Sequence, residues 1–205
     1  LGINIGKNAT TPIENAVDDY LTCLTKVYDH ASYITVNISS PNTKNLRALQ
    51  SEDELSKLLG TLKEEQARLQ QQRGRYVPMA VKIAPDLNLE EIEAIAQVVT
   101  QVEMDGVIAT NTTIDKSSLG NHPLAGEAGG LSGLPVRAQS EYVLQHLVHA
   151  LKGKLPVIGV GGIVAGQDAA TKKRLGASAV QVYSGMIYQG PSLVADCVRE
   201  WVHTR

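Results

Sequence analysis

Tyr33-Ile34-Thr35-Val36-Asn37-Ile38-Ser39-Ser40-Pro41-Asn42-Thr43 joins a β-rich run to a turn carrying two amides and three hydroxyls. The β-branched and aromatic residues predict a strand over 33–38. The run is mainly apolar and does not alternate cleanly, the pattern of a strand buried on both faces of a parallel sheet. Its polar residues gather at the C-terminal end, where a buried strand meets solvent.

Five more runs of this kind lie outward from it, at 2–5, 78–83, 106–110, 157–160 and 179–183. Amphipathic stretches separate them. Thr11-Pro12-Ile13-Glu14 has capping-box spacing with proline at the first helical position, and leads into Ile13, Ala16, Val17, Tyr20, Leu21 and Leu24. Ser51 to Glu54 and Asn88 to Glu91 repeat the polar cap with glutamate. Leu55, Leu58, Leu59 and Leu62 form the apolar stripe of the first of these helices, and Ile92, Ile95, Ala96 and Val99 that of the second. Further helices are expected over 140–151, 167–175 and 191–203.

Strands alternating with helices predict a parallel α/β fold. A doubly wound open sheet and a (β/α)8 TIM barrel both fit the alternation. The barrel is preferred because polar residues end nearly every strand, whereas an open sheet gathers them at one switch point. No GxGxxG follows a strand. The 111–133 connection is long for a βα loop, and such loops tend to be functional.

With 205 residues, 43% of them hydrophobic, the chain can bury a core without disulfides or metal. A net charge of -2 with scattered cations gives no basis for nucleic-acid binding. Lys172-Lys173-Arg174 reads as the solvated face of a helix. Cys23 and Cys197 stand alone, and His30, His122, His146, His149 and His203 form no ligand set, so no metal is expected. No apolar run reaches the ~20 residues of a membrane span. Leu1-Gly2-Ile3-Asn4 reads as the inside of a strand, which predicts a chain that starts within a larger protein.

Among the polar strand ends, Asn37 and Asn42 suit a ring bearing amide and carbonyl groups. Ser40 is a candidate base if a partner takes its proton. A plain polar turn fits the same residues. Lys82 puts a cation at the end of an apolar strand, where it either faces a polar ligand or snorkels to the rim. Asn111-Thr112-Thr113 and the flexible Gly129-Gly130-Leu131-Ser132-Gly133 follow the next strand. Gly159-Val160-Gly161-Gly162-Ile163 and Tyr183-Ser184-Gly185 fit the phosphate cradle that barrels carry after their last strands. Together they describe a phosphate-bearing cofactor beside a small polar substrate, without naming the reaction.

In order and spacing, these segments resemble the dihydroorotate dehydrogenases. Gly2 to Asn8, Val36 to Thr43, Val81 to Asp86, Thr110 to Thr113, Gly129 to Gly133, Gly159 to Gly162 and Tyr183 to Gly185 carry the likeness. Serine at position 40, where class 1 enzymes have cysteine, makes the chain similar to the quinone-linked class 2. The resemblance implies an FMN-binding TIM barrel over 1–205, of which this chain supplies about six βα units. It implies that the first two units and an N-terminal helical extension, with its quinone and peripheral membrane contacts on the cytoplasmic side of the inner membrane, lie outside these residues. Ser40 would take the C5 proton of dihydroorotate, with Thr43 in a water relay, while hydride leaves C6. Asn37, Asn42, Asn111 and Thr112 would hold the substrate and its product, orotate. Asn4, Asn37, Lys82 and Thr110 would touch the flavin, and Gly133, Gly162, Tyr183 and Ser184 its phosphate end. The alternative is a soluble, catalytically inactive piece of that enzyme.

Overall fold

Strands β1 Gly2–Ile5, β2 Tyr33–Asn37, β3 Met79–Ile83, β4 Gly106–Ala109, β5 Val157–Val160 and β6 Ala179–Gln181 form one sheet in the computed structural model, which describes residues 1–43 and 45–204. All five pairings are parallel, and order in the sheet is order in the chain. A doubly wound sheet would reverse direction at a switch point. Sequential winding is that of a (β/α)8 barrel, and six of its βα units are present.

Among the described residues seven α-helices follow the strands: α1 Ala16–Val27, α2 Glu52–Arg73, α3 Leu89–Gln101, α4 Arg137–Leu151, α5 Gly166–Arg174, α6 Ser184–Gln189 and α7 Ser192–His203. The period-2 pleat divides each strand between two environments. Ile34, Val36, Val81, Ile83, Val107 and Ala109 point outward and are buried with Tyr20, Leu24, Leu58, Leu62, Ile95 and Val99 of α1–α3. Each buried valine, leucine or isoleucine among them contributes about 1.5–3 kcal/mol relative to its exposed state. The opposite face carries Asn4, Thr35, Asn37, Lys82 and Gln181 along the inside of the curve.

Burial on both faces is complete at β4 but not at the edges. Ala179 in β6 and Asn4 in β1 are exposed, because each edge strand has one neighbour among the described residues. The capping boxes also differ from expectation. Asn88 Oδ1 accepts the Glu91 amide at 2.9 Å while Glu91 returns a bond to the Asn88 amide at 2.8 Å. Ser51 makes no side-chain cap, and Thr11-Pro12 leads into a short 3-10 turn, Ile13–Asn15, before α1. Ser51 supplies the extended backbone that starts α2 without turning its hydroxyl onto the helix.

The 172–174 cluster is packed into the fold and is not the solvated face that its sequence suggests. Lys172 is fully buried, with Nζ donating to Ser140 Oγ at 2.6 Å. Lys173 donates to the Trp201 and Thr204 carbonyls at the end of α7, and only Arg174 is exposed. Helix α5 packs closely against α7, so little of its surface is left for solvent.

Candidate active site

The strand ends converge on two adjoining cavities that share Lys82, Asn111 and Gln181. The first, about 260 Å³, has apolar walls from Val136, Val160, Ile163 and Val182. Its far end is formed by Ser132, Gly133, Gly161, Gly162, Ser184 and Gly185. The second, about 350 Å³, is lined by Asn4, Thr35, Asn37 and Ser40.

The glycine end is built for an anion. Gly133 and Gly162 have φ of 74° and 71°, which turns the backbone in a way a side chain resists. Among the described residues, the amides of Gly162, Ile163, Ser184 and Gly185 donate to no protein acceptor. The Ser184 hydroxyl bonds that of Ser132 at 2.8 Å. Buried amides without partners are costly, so this end fits a group rich in acceptor oxygens, such as a phosphate.

Lys82 comes from β3, paired with Asn37 on one side and Ile108 on the other. Its ammonium has no hydrogen-bond or ion-pair partner among the described residues, and burial pushes its pKa below the ordinary lysine range. A cation held between two cavities without a counter-ion suits a ligand that carries or develops negative charge.

Across from it, the amides lock one another in place. Asn37 Oδ1 accepts from the Ser39 backbone amide at 3.3 Å and from Asn111 Nδ2 at 3.2 Å. Asn111 Nδ2 also reaches Ser39 Oγ at 3.1 Å, and Ser39 donates onward to the Lys82 carbonyl at 2.7 Å. Asn111 Oδ1 accepts the Thr112 amide at 2.8 Å. The Asn37 carbonyl is itself pinned by Tyr20 Oη at 2.6 Å, so the end of β2 is fixed from the helix side too. This is a preformed set of hydrogen-bonding groups rather than a loose polar turn.

The structure brings Asn37, Ser40, Lys82 and Asn111 together around the second cavity, with Asn4 on its exposed edge. Thr110, Thr112, Gly133, Gly162, Tyr183 and Ser184 line the first. Asn42 and Thr43 line neither; Asn42 is exposed beside Gly129, and Thr43 lies in the same loop. Sequence reasoning passed over Ser39, Ser132 and Gln181. Gln181, which ends β6 and reaches Tyr33 Oη at 3.4 Å, was visible as a polar residue closing an apolar strand.

The family profile described as Dihydroorotate dehydrogenase matches residues 1–204. The dihydroorotate dehydrogenase (quinone) of Neisseria meningitidis serogroup C / serotype 2a is 71% identical over 199 residues, 97% of this chain and 59% of that protein. That of Cellvibrio japonicus is 67% identical over 195 residues, 95% of this chain and 57% of that protein. A crystal structure of DHODH from Eimeria tenella in complex with ferulenol superposes with a TM-score of 0.89 at 39% identity, covering 98% of this chain and 57% of that one. The chain therefore spans somewhat under three-fifths of the length of these relatives.

Proposed function

Because the chain belongs to the dihydroorotate dehydrogenase family, we propose that it carries the flavin and substrate face of a quinone-linked enzyme that oxidises (S)-dihydroorotate to orotate in pyrimidine biosynthesis. The observation that supports this most is the unpartnered Lys82 ammonium between the glycine-lined cavity and the amide-lined one.

FMN fits the first cavity: the free amides of Gly162, Ile163, Ser184 and Gly185 suit its phosphate, and the apolar walls suit a ring system. Bound there, FMN supplies the two-electron acceptor that no side chain can provide. Gly133 and Tyr183 would border its phosphate end and Thr110 its ring, with Asn4 and Asn37 facing the ring from the adjoining second cavity. Lys82, which lines both cavities, would hold its positive charge beside the ring. Ser40, which lines the second cavity, would accept the proton from C5 as hydride leaves C6 and pass it on to water; Thr43, in the same loop but outside the cavity, has its relay role on the family resemblance alone. Asn37 and Asn111, with Thr112 beside them, would hold the pyrimidine; Asn42, which lines neither cavity, has this role on the family resemblance alone. A flavin so held would hand its two electrons on to a quinone. Among the described residues, no helix is long and apolar enough to cross a membrane.

The test is anaerobic addition of dihydroorotate to the intact flavoprotein. Bleaching of the flavin bands, restored by a quinone, is expected; a flavin that stays oxidised refutes the reading. For the 205-residue chain alone, the two open sheet edges favour the second reading, phosphate affinity without turnover. Flavin absorbance of that chain, and its response to dihydroorotate, separates the two.

A further inference from the structure

Arg47 stands on the 3-10 turn Leu46–Gln50, just after the Ser40 loop, and lines neither cavity. Its guanidinium nevertheless joins three strand ends. Nε donates to the Ser39 carbonyl at 3.2 Å, Nη1 to Asp86 Oδ2 at 2.7 Å and Nη2 to the Thr112 carbonyl at 2.9 Å. These acceptors follow β2, β3 and β4 respectively.

Asp86 continues the connection. It accepts the Thr113 hydroxyl and, at 3.2 Å, the Ile114 amide. Thr113 is buried and exchanges both backbone bonds with Leu131, at 3.0 and 2.8 Å. Ser132 and Gly133, which line the anion end, come directly after Leu131. One series of contacts thus runs from the carbonyl beside Ser40 to the glycine turn. Arg47 and Asp86 are both largely shielded from solvent, which strengthens a charge-assisted pair over an exposed one.

We infer that Arg47 and Asp86 are positioning residues that hold the Ser40 loop in register with Asn111, Thr112 and the 129–133 turn, and so set the approach of Ser40 to the substrate carbon. This rests on the reading of Ser40 as the base. The requirement is geometric. A planar guanidinium presents its donors in a fixed fork and can satisfy three acceptors in three directions, whereas a lysine ammonium at the same place is a single point of charge. Positive charge alone does not make the tie. Displacing a reacting group by about 1 Å costs on the order of 100-fold in rate.

The test uses the intact flavoprotein and reads its two half-reactions separately. Dihydroorotate bleaches the flavin in one; in the other, a quinone reoxidises enzyme reduced beforehand with dithionite. Arg47→Ala and Arg47→Lys are expected to slow bleaching by about 100-fold, with flavin content and reoxidation unchanged. Asp86→Asn reads the same tie should Arg47→Ala fail to retain flavin. Because Arg47 acts through Ser40, adding Arg47→Ala to Ser40→Ala should slow bleaching little further. Normal bleaching in the Arg47 variants, or equal loss from both half-reactions, overturns the inference. So does a fully additive double variant. Should Ser40→Ala itself bleach at the normal rate, the base assignment fails and the inference with it; normal bleaching in the Arg47 variants beside a slow Ser40→Ala condemns the inference alone.

Discussion

Lys82 and Lys172 are both lysines within packed elements, and their surroundings give them opposite uses. Among the described residues Lys82 has no protein acceptor, and it opens onto two cavities, so its charge is available to a ligand. Lys172 is enclosed, and its charge is spent on Ser140, which in turn donates to the Val160 carbonyl at 2.7 Å beneath the Gly161-Gly162 turn. The sequence distinguished Lys82, since a cation between Val81 and Ile83 stands out. It hid Lys172, whose neighbours Thr171, Lys173 and Arg174 look like a solvated face. If Lys82 supports an anionic reduced flavin, Lys82→Met should lower the flavin's midpoint potential and slow its reduction by dihydroorotate. Flavin affinity should fall less, because the phosphate end is untouched. Burial lowers the pKa of Lys82, so in the parent protein this support should fade as pH rises below the usual lysine range. Potentiometry across alkaline pH checks it: equal potentials and equal slopes in parent and variant would remove Lys82 from the flavin site.

Helices α3 and α5 show how far element-scale signals can be read. Asn88 and Glu91 form the reciprocal cap their spacing suggests, because nothing else competes for either side chain. The Ser51 and Thr11 spacings suggested the same and gave a different result, since spacing does not fix the rotamer. The short helix α6 escaped as a separate element, having too few residues to show a period. Helix α5 carries a measurable consequence of its packing. Burial lowers the Lys172 pKa from 10.5 to about 8, against a smaller opposing pull from Glu141 and Asp168. Between those values the unfolded chain holds a proton that the folded chain has released. Stability therefore rises with pH across that window and gains nothing from this group below it. Lys172→Met removes the titration, so its unfolding free energy should lack that rise relative to the parent. Denaturant titrations at pH 7.5, 9 and 10 test it, and parallel curves for the two proteins would mean that Lys172 is solvated after all.

At the scale of the whole molecule, the barrel was legible because it is written in repetition: apolar strand, polar strand end, amphipathic helix, six times over. Long-range coupling was not legible. Arg47, Asp86 and Leu131 come together only because three strands lie side by side, and no local pattern announces that. Nor does sequence periodicity show which surfaces the winding leaves open. Along α7, Val194, Val198 and Val202 recur every fourth residue and are 46, 57 and 70% exposed. Val194 and Val198, with Ala179, Val180 and Trp201, border an apolar groove beside the edge of β6 that has no strand partner among the described residues. At the other end of the sheet, β1 also has a free edge, and Leu1 beside it is 79% exposed. A free strand edge next to apolar surface is a template for pairing with another chain. The 205-residue chain on its own should therefore associate, and sedimentation velocity should show an average mass that climbs above 22.0 kDa with concentration. Val198→Glu places a charge in the centre of the α7 stripe, touches neither cavity, and should shift the chain back toward monomer. A parent chain that stays monomeric throughout the concentration series would show that these edges are protected by means other than pairing.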